Sequence, residues 1–171
     1  MKKILVLIFI VIIFVACGEA EAYVETIGGS FPFEFAAEDL HGNTVTHVSL
    51  GERELFLLYF WTTWCGACVV AMPDMVRLAN EFGAKVGFVS LLGDFETGRR
   101  VAIQMTEDLN IPFFTMDANY TGFEAFIHFV QSGFVPTTAI IDIYGNMIGE
   151  MIVGGGYARL REAIEAAFYS Q

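Results

Sequence analysis

The feature of the sequence that most constrains the fold is an apolar run followed at once by two cysteines and a helical pattern. The run, Leu55–Trp61, is continuously apolar and aromatic, which is typical of a strand buried on both faces of a sheet. Cys65 and Cys68 follow it in the stretch WTTWCGAC. Apolar residues then recur at helical spacing from Val69 to Phe82, and Gly83 closes the pattern. The cysteine pair is therefore expected where a buried strand ends and a helix begins.

The patterns in the rest of the chain extend this unit to a mixed α/β architecture. Further apolar runs and helical spacings predict strands at 33–36, 44–48, 86–91, 113–116, 137–143 and 147–153, and helices over 96–109, 123–130 and 157–168. Turn-forming residues at 41–43 and 144–146 join two strand pairs into hairpins. Alternating strands and helices that end in a hairpin and a helix predict a mixed central sheet flanked by helices.

Cys65 and Cys68 have the residue type, spacing and position that thiol–disulfide exchange requires. The attacking species is the thiolate, whereas a thiol with a pKa of about 8.5 is mostly protonated near neutral pH. Unpaired N–H groups at a helix N-terminus stabilise a negative sulfur, and Cys65 is expected at that end, facing solvent. Cys68, one turn later on the same face, is placed to resolve a mixed disulfide. The pair predicts redox catalysis without any further cofactor.

Three other uses of the cysteine pair fit the sequence less well. A zinc site needs about four ligands, but the chain has one CxxC and its histidines show no ligand spacing, so no metal is predicted. A static disulfide between residues three apart constrains little chain and stabilises weakly. A peroxidatic cysteine is suggested by Thr62, three residues before Cys65, but Leu58 stands where peroxiredoxins carry a proline. Thiol–disulfide exchange is therefore favoured.

The N-terminus predicts export. Residues 1–3 supply a positive start, and Ile4–Ala16 is an uncharged apolar run of 13 residues, too short to span a membrane as a helix. Residues 1–16 are therefore interpreted as a signal peptide. The stretch FVAC that ends at Cys17 resembles the lipobox of bacterial lipoproteins, which implies lipidation of Cys17 and a membrane anchor. An ordinary cleavage after Ala22, giving a soluble secreted or periplasmic protein, is the alternative.

Behind the leader, residues 17–30 are small and polar and are interpreted as a tether, so the folded domain is expected to span residues 31–171. The formal net charge of the whole chain is −11. Such a surface repels phosphate backbones, which argues against nucleic acid as a partner. The acidic surface is interpreted first as a means of keeping the protein soluble, and it also mildly favours basic partners.

The chain from Phe31 onwards resembles the membrane-anchored thioredoxin-like proteins of the TlpA/ResA type. The resemblance rests on three stretches, FEFAAEDLHGNTVTHVSL, FLLYFWTTWCGACVVAMPDM and GFVPTTAIIDIYGNMIGEMIVG. It implies a thioredoxin fold with an N-terminal β-hairpin. It further implies a cis Val135–Pro136 peptide opposite the cysteines, and a structural kink at Pro73.

By the same resemblance the protein is a thiol–disulfide oxidoreductase that reduces exported clients, such as apocytochrome c, and is recharged by a membrane electron donor. The resemblance assigns client binding to five residues near the pair: Trp64, Gly66, Ala67, Val135 and Pro136. A disulfide-forming oxidase is the alternative with the same chemistry, because the dipeptide between the cysteines departs from the familiar ones and helps to set the direction of electron flow. A redox-inert lipoprotein that binds peptides is the alternative of a different class, and the intact cysteine pair weighs against it. Where relatives carry a proton-transferring acid, this chain has Ala71 and Tyr59.

Overall fold

The computed structural model describes residues 29–170 of the chain. In that range the strands are β1 (Ala36–Glu38), β2 (Thr44–Thr46), β3 (Leu55–Trp61), β4 (Val86–Leu92), β5 (Thr115–Asp117), β6 (Thr137–Asp142) and β7 (Met147–Val153). The α-helices are α1 (Gly66–Phe82), α2 (Phe95–Asp108) and α3 (Tyr157–Tyr169). The expected signal peptide, Cys17 and most of the expected tether lie outside the described residues. Within 29–170, no helix has the length and apolar character needed to cross a membrane.

The strands form a five-stranded mixed sheet and a separate hairpin, as the sequence predicts. The order in the sheet is β5-β4-β3-β6-β7. Strands β3, β4 and β5 are parallel, β6 runs antiparallel to β3, and β7 runs antiparallel to β6. Strands β1 and β2 pair antiparallel outside this sheet. The long apolar run of the sequence is therefore the central strand, with a neighbour on each side.

Side chains of β3 alternate between two cores, one on each face of the sheet. Leu57, Tyr59 and Trp61 belong to a cluster that includes buried residues of α1, α2 and α3. Phe56 and Leu58 belong to the other cluster, which contains many of the aromatic side chains of residues 31–35 and 123–129. Burying one such aliphatic or aromatic side chain contributes about 1.5–3 kcal/mol, so the double-sided burial of β3 is a large part of the stability of the fold.

The segment that covers the second face differs from the prediction. The sequence predicts an α-helix over 123–130, and this prediction is wrong. The segment instead forms two short 3₁₀ helices, at Thr121–Phe123 and Ile127–Phe129. A 3₁₀ helix has three residues per turn, so residues three apart share a face. Phe123, Phe126 and Phe129 have that spacing, and their rings contact phenylalanines of residues 31–35. Aromatic packing therefore selects the tighter helix.

The N-terminal hairpin also differs in its bounds. A strand over 33–36 was expected, whereas pairing begins only at Ala36, which lies opposite Thr46. Phe31 and Phe35 before it are buried in the aromatic cluster. After β2 the chain turns into a 3₁₀ helix at His47–Leu50, so β2 is shorter than predicted. Residues 31–35 therefore pack their aromatic rings into the core and do not form the strand pairing that the sequence predicts from residue 33.

Candidate active site

Cys65 and Cys68 lie at the N-terminal end of α1 and are joined by a disulfide. Cys65 is the N-cap residue of the helix, and Cys68 lies one turn further in. Cys65 is 8% exposed and Cys68 is fully buried. The sulfur of Cys65 is therefore more covered than the predicted solvent-facing position implies. It is still the more accessible of the two cysteines.

The first turn of α1 directs backbone N–H groups toward Cys65. The Cys68 N–H lies 3.2 Å from Cys65 Sγ and 2.9 Å from the Cys65 carbonyl oxygen. The Val69 N–H donates to the same carbonyl oxygen over 3.1 Å. Donors at a helix N-terminus stabilise a negative charge placed there. The geometry therefore favours the thiolate of Cys65 once the pair is reduced.

The loop before β6 covers the cysteine pair. Its Val135–Pro136 peptide is cis, as the resemblance implies, and the Val135 carbonyl oxygen lies 3.5 Å from Cys65 Sγ. Thr137 Oγ1 donates to the Phe134 carbonyl oxygen over 2.6 Å, which fastens the loop to the start of β6. The backbone of Val135 is thereby held beside the redox pair, and it accounts for part of the low exposure of Cys65.

The five residues that the resemblance assigns to client binding differ in exposure. Trp64 is 72% exposed, and Gly66 and Ala67 are also exposed. Val135 is half-buried and Pro136 is buried. The structure thus brings all five to the region of the disulfide. The first three are therefore accessible from solvent, whereas the side chains of Val135 and Pro136 are largely covered.

Two polar residues to which the sequence assigned no role fasten the segment before Cys65. The Asp94 carboxylate accepts hydrogen bonds from the N–H and the hydroxyl of Thr63. Ser90 Oγ accepts a hydrogen bond from the Trp61 indole N–H over 2.9 Å. Both contacts join residues about thirty positions apart, so spacing alone does not reveal them. The local signal at Asp94 is its place just before a helical pattern, where aspartate is a preferred cap.

The two positions where the resemblance implies a proton-transferring acid hold Tyr59 and Ala71, and other unpartnered hydroxyls are buried within the described residues. The hydroxyls of Tyr59, Thr62 and Thr138 are buried and have no hydrogen-bond partner among residues 29–170. Burial raises the pKa of Tyr59, so its phenol is neutral at physiological pH. Ala71 is buried in α1. Within the described part of the chain, no three metal-ligating side chains are gathered into a site.

Residues 27–148 match the model of the AhpC/TSA family, which is more than half of the chain. The chain belongs to the AhpC/TSA family. Its Cys65–Cys68 pair thus stands within a family of thioredoxin-like thiol–disulfide oxidoreductases.

Relatives of this AhpC/TSA member include proteins described as thioredoxins. A thioredoxin-like protein of Haemophilus influenzae is 46% identical over 54 residues, which cover 32% of this chain and 32% of that protein. The chain thus spans about a third of the length of that relative. A thioredoxin of Mycoplasma genitalium is 31% identical over 87 residues, which cover 51% of this chain and 76% of that protein.

Solved structures with the same fold come from bacterial disulfide-exchange proteins. A thiol:disulfide interchange protein of Chlorobium tepidum has a TM-score of 0.66 at 24% identity and covers 81% of this chain and 97% of its own. A secreted disulfide oxidoreductase of Mycobacterium tuberculosis has a TM-score of 0.61 at 17% identity, and the match covers 77% of this chain and 95% of that protein's chain. The exposed lipoprotein thioredoxin of Streptococcus pneumoniae has a TM-score of 0.57 at 21% identity, and the match covers 77% of this chain and 98% of that protein's chain. These likenesses establish the thioredoxin fold.

Proposed function

We propose that this AhpC/TSA member is an exported protein-disulfide reductase of the TlpA/ResA type. The observation that carries the proposal is the position of Cys65 Sγ at the start of α1, 3.2 Å from the Cys68 N–H and 3.5 Å from the Val135 carbonyl oxygen. The first contact stabilises a thiolate. The second places main-chain hydrogen-bonding groups beside the sulfur, where an extended client segment can pair with them.

The reaction is a two-step exchange of two electrons. The Cys65 thiolate attacks one sulfur of a client disulfide, a mixed disulfide forms, and the other client sulfur leaves as a thiolate that takes up a proton. Cys68 then loses its proton and attacks Cys65 Sγ, which releases the second client thiol. The client disulfide is reduced and the Cys65–Cys68 pair is oxidised. A dithiol donor reverses the change in the protein by the same chemistry.

The surface around the pair suits a protein client. Trp64 and Phe134 are exposed aromatic side chains, at 72% and 66% exposure, on the two segments that flank the disulfide. Such side chains contact apolar parts of a partner at little entropic cost. Apocytochrome c is the client that the family resemblance suggests, and a membrane thiol reductase is the donor it suggests.

We further propose that the protein works in the cell envelope as a lipoprotein anchored through Cys17. The support is the short apolar leader that ends in FVAC. The secreted and the exposed lipoprotein proteins with the same fold also support an extracytoplasmic location. Acyl mass on Cys17 in the membrane fraction is the expected result, whereas a free protein that begins at Tyr23 contradicts the anchor.

Measurement of the equilibrium potential of the Cys65–Cys68 couple against glutathione, together with insulin reduction, tests the proposed activity. A reductase has a potential well below that of the glutathione pool and reduces insulin, and the Cys65→Ser variant is inactive. A potential above that of glutathione would instead identify a disulfide-forming oxidase. Wild-type protein that matches Cys65→Ser in the insulin assay would identify a redox-inert binding protein.

A further inference from the structure

Asp94 stands at the N-cap position of α2, but its carboxylate does not cap that helix. An N-cap aspartate ordinarily accepts hydrogen bonds from the second or third N–H of its own helix. Here the N–H groups of Thr97 and Gly98 donate to the Asp94 main-chain carbonyl oxygen instead, over 3.1 and 2.6 Å. The Asp94 carboxylate is thereby free to bind elsewhere.

Both carboxylate oxygens of Asp94 bind Thr63. The Thr63 N–H donates to Asp94 Oδ1 over 3.0 Å, and the Thr63 hydroxyl donates to Asp94 Oδ2 over 2.5 Å. Within residues 29–170, no other side chain hydrogen-bonds to residues 62–64. Hydrogen bonds to a charged acceptor are among the stronger ones in proteins. Asp94 is therefore the main polar anchor of the segment that joins β3 to Cys65.

Two glycines allow the start of α2 to approach this segment closely. A Cβ atom at Gly98 would lie 2.5 Å from Asp94 Oδ2 and 2.7 Å from Thr63 Oγ1. A Cβ atom at Gly93 would lie 2.9 Å from a ring carbon of Phe60. The Gly93 N–H also donates to the carbonyl oxygen of the last β3 residue over 2.8 Å. The contact between Asp94 and Thr63 is thus enclosed on the side of the helix.

The anchored segment sets the position of Cys65. Thr63 is two residues before Cys65, and the Cys65 N–H donates to the Thr62 carbonyl oxygen over 3.4 Å within the same turn. A displacement of Thr63 therefore moves the sulfur relative to the Cys68 N–H and the Val135 carbonyl oxygen. The Cys65 sulfur lies 3.2 Å from the first of these atoms and 3.5 Å from the second, so a displacement of the turn changes both distances.

We propose that Asp94 is a positioning residue for Cys65, acting through its two hydrogen bonds to Thr63. This inference deepens the proposed function and rests on it, since positioning of the sulfur matters only if Cys65 is the attacking thiol. The side chain touches neither client nor sulfur. It holds the turn before α1 in the arrangement in which the Cys68 N–H lies 3.2 Å from the Cys65 sulfur.

The test compares two neutral substitutions in the full-length reduced protein, Asp94→Asn and Asp94→Ala. Both remove the same negative charge, but only asparagine retains an oxygen acceptor and an N–H donor for Thr63. The rate of Cys65 alkylation by limiting iodoacetamide is followed across pH, with the site of modification read by mass spectrometry. We expect Asp94→Ala to react about tenfold more slowly than Asp94→Asn at pH 7 and equally fast at high pH, which corresponds to about one pKa unit.

A second pair of variants keeps the carboxylate and changes its partner. Thr63→Val removes the hydroxyl donor, whereas Thr63→Ser retains it, so the first is expected to slow alkylation at pH 7 and the second to restore the wild-type rate. This pair decides the question if Asp94→Ala does not fold. Equal rates for Asp94→Ala and Asp94→Asn, or for Thr63→Val and Thr63→Ser, would overturn the proposal.

The two proposals fail in different ways. Alkylation of a reduced thiol needs no client, so the role of Asp94 can be read even if the wild-type protein does not reduce insulin. If the wild-type protein reduces insulin and the Asp94 variants alkylate alike, only the positioning role is lost. If the variants differ and insulin is not reduced, the reductase proposal fails while the positioning of Cys65 stands.

Discussion

Replacing Tyr59 with phenylalanine should stabilise the protein, although the side chain lies in the centre of the sheet. Tyr59 is 2% exposed, and its hydroxyl has no hydrogen-bond partner among residues 29–170. It lies in register with Ser90 on β4 and with Thr138 on β6, whose hydroxyl is also unpartnered. The substitution removes one oxygen atom and leaves the ring in place. It therefore tests the cost of an unpaired buried hydroxyl with little change in packing.

The magnitude follows from that cost. Leaving a buried polar group without a partner costs about 1–3 kcal/mol, and the small void left by the oxygen offsets part of the gain. We expect a net stabilisation of about 1 kcal/mol, which is about 4 °C in Tm for a domain of this size. Ser90→Ala is the matched control, because Ser90 lies opposite Tyr59 on the neighbouring strand β4 and its substitution also removes one buried hydroxyl. It removes the acceptor of the Trp61 indole N–H, so it should destabilise by about 1–3 kcal/mol.

Urea and thermal unfolding of the oxidised protein measure both changes, and stopped-flow release of a mixed disulfide provides a second readout. Tyr59→Phe should leave the rate of release by Cys68 unchanged. A loss of stability in Tyr59→Phe, comparable to that of Ser90→Ala, would refute the reasoning, because it would mean that the phenol is hydrogen-bonded. Slower release with unchanged stability would show that the phenol serves Cys68.

Three further predictions concern the site and the fold. Limiting alkylation of the reduced protein should modify Cys65 well before Cys68, and Cys68→Ser should accumulate mixed disulfides with clients; faster labelling of Cys68 contradicts the assignment of roles. Asp74→Ala should lower the free energy of unfolding by about 1 kcal/mol relative to Asp74→Asn, because Asp74 Oδ2 accepts from the Tyr157 N–H at the start of α3 over 2.9 Å, where the N-cap glycine has no side chain. Burial alone would raise the pKa of Asp39, but hydrogen bonds from the turn that follows it hold that pKa below its usual range. The contribution of the Asp39 carboxylate to stability is therefore present above about pH 4 and is lost as the pH falls through the folded-state pKa. In urea unfolding, the stability of Asp39→Asn should therefore depend less on pH in the acid range than that of the wild type. Equal pH dependence of the two proteins would argue against this role of Asp39.

The arrangement of the cysteine pair was predictable because its signals are local. A continuous apolar run and a helical pattern meet within a few residues, and the physics of the helix N-terminus applies wherever such a junction forms. The structure confirms the strand at Leu55–Trp61 and a helix that ends at Phe82. It also contains the cis Val135–Pro136 peptide that the family resemblance implies. That feature came from motif similarity, since spacing alone does not indicate a cis bond.

The features that were not predictable depend on contacts between distant residues. The helical spacing of residues 123–130 fits an α-helix, yet Phe123 and Phe126 pack against Phe31 and Phe35, and this packing favours 3₁₀ turns. The bond from Thr63 to Asp94 crosses thirty-one positions, so no window of sequence contains both partners. The low exposure of Cys65 has the same origin, because the loop that covers it is seventy positions away.

The two positions where the family resemblance places a proton-transferring acid hold Tyr59 and Ala71, and both lie in the packing between the sheet and α1. Tyr59 lies in the apolar cluster that contains Cys68, and Ala71 is buried one turn beyond Cys68 on α1. An ionised carboxylate at either position would be costly unless paired. Burial raises the pKa of Tyr59, so its phenol stays protonated near neutral pH and is not available to accept the proton of Cys68. We therefore expect the proton of Cys68 to leave toward Cys65, which is the more accessible of the two cysteines. Resolution is therefore expected to quicken as pH rises, in contrast to a site in which an internal carboxylate accepts the proton.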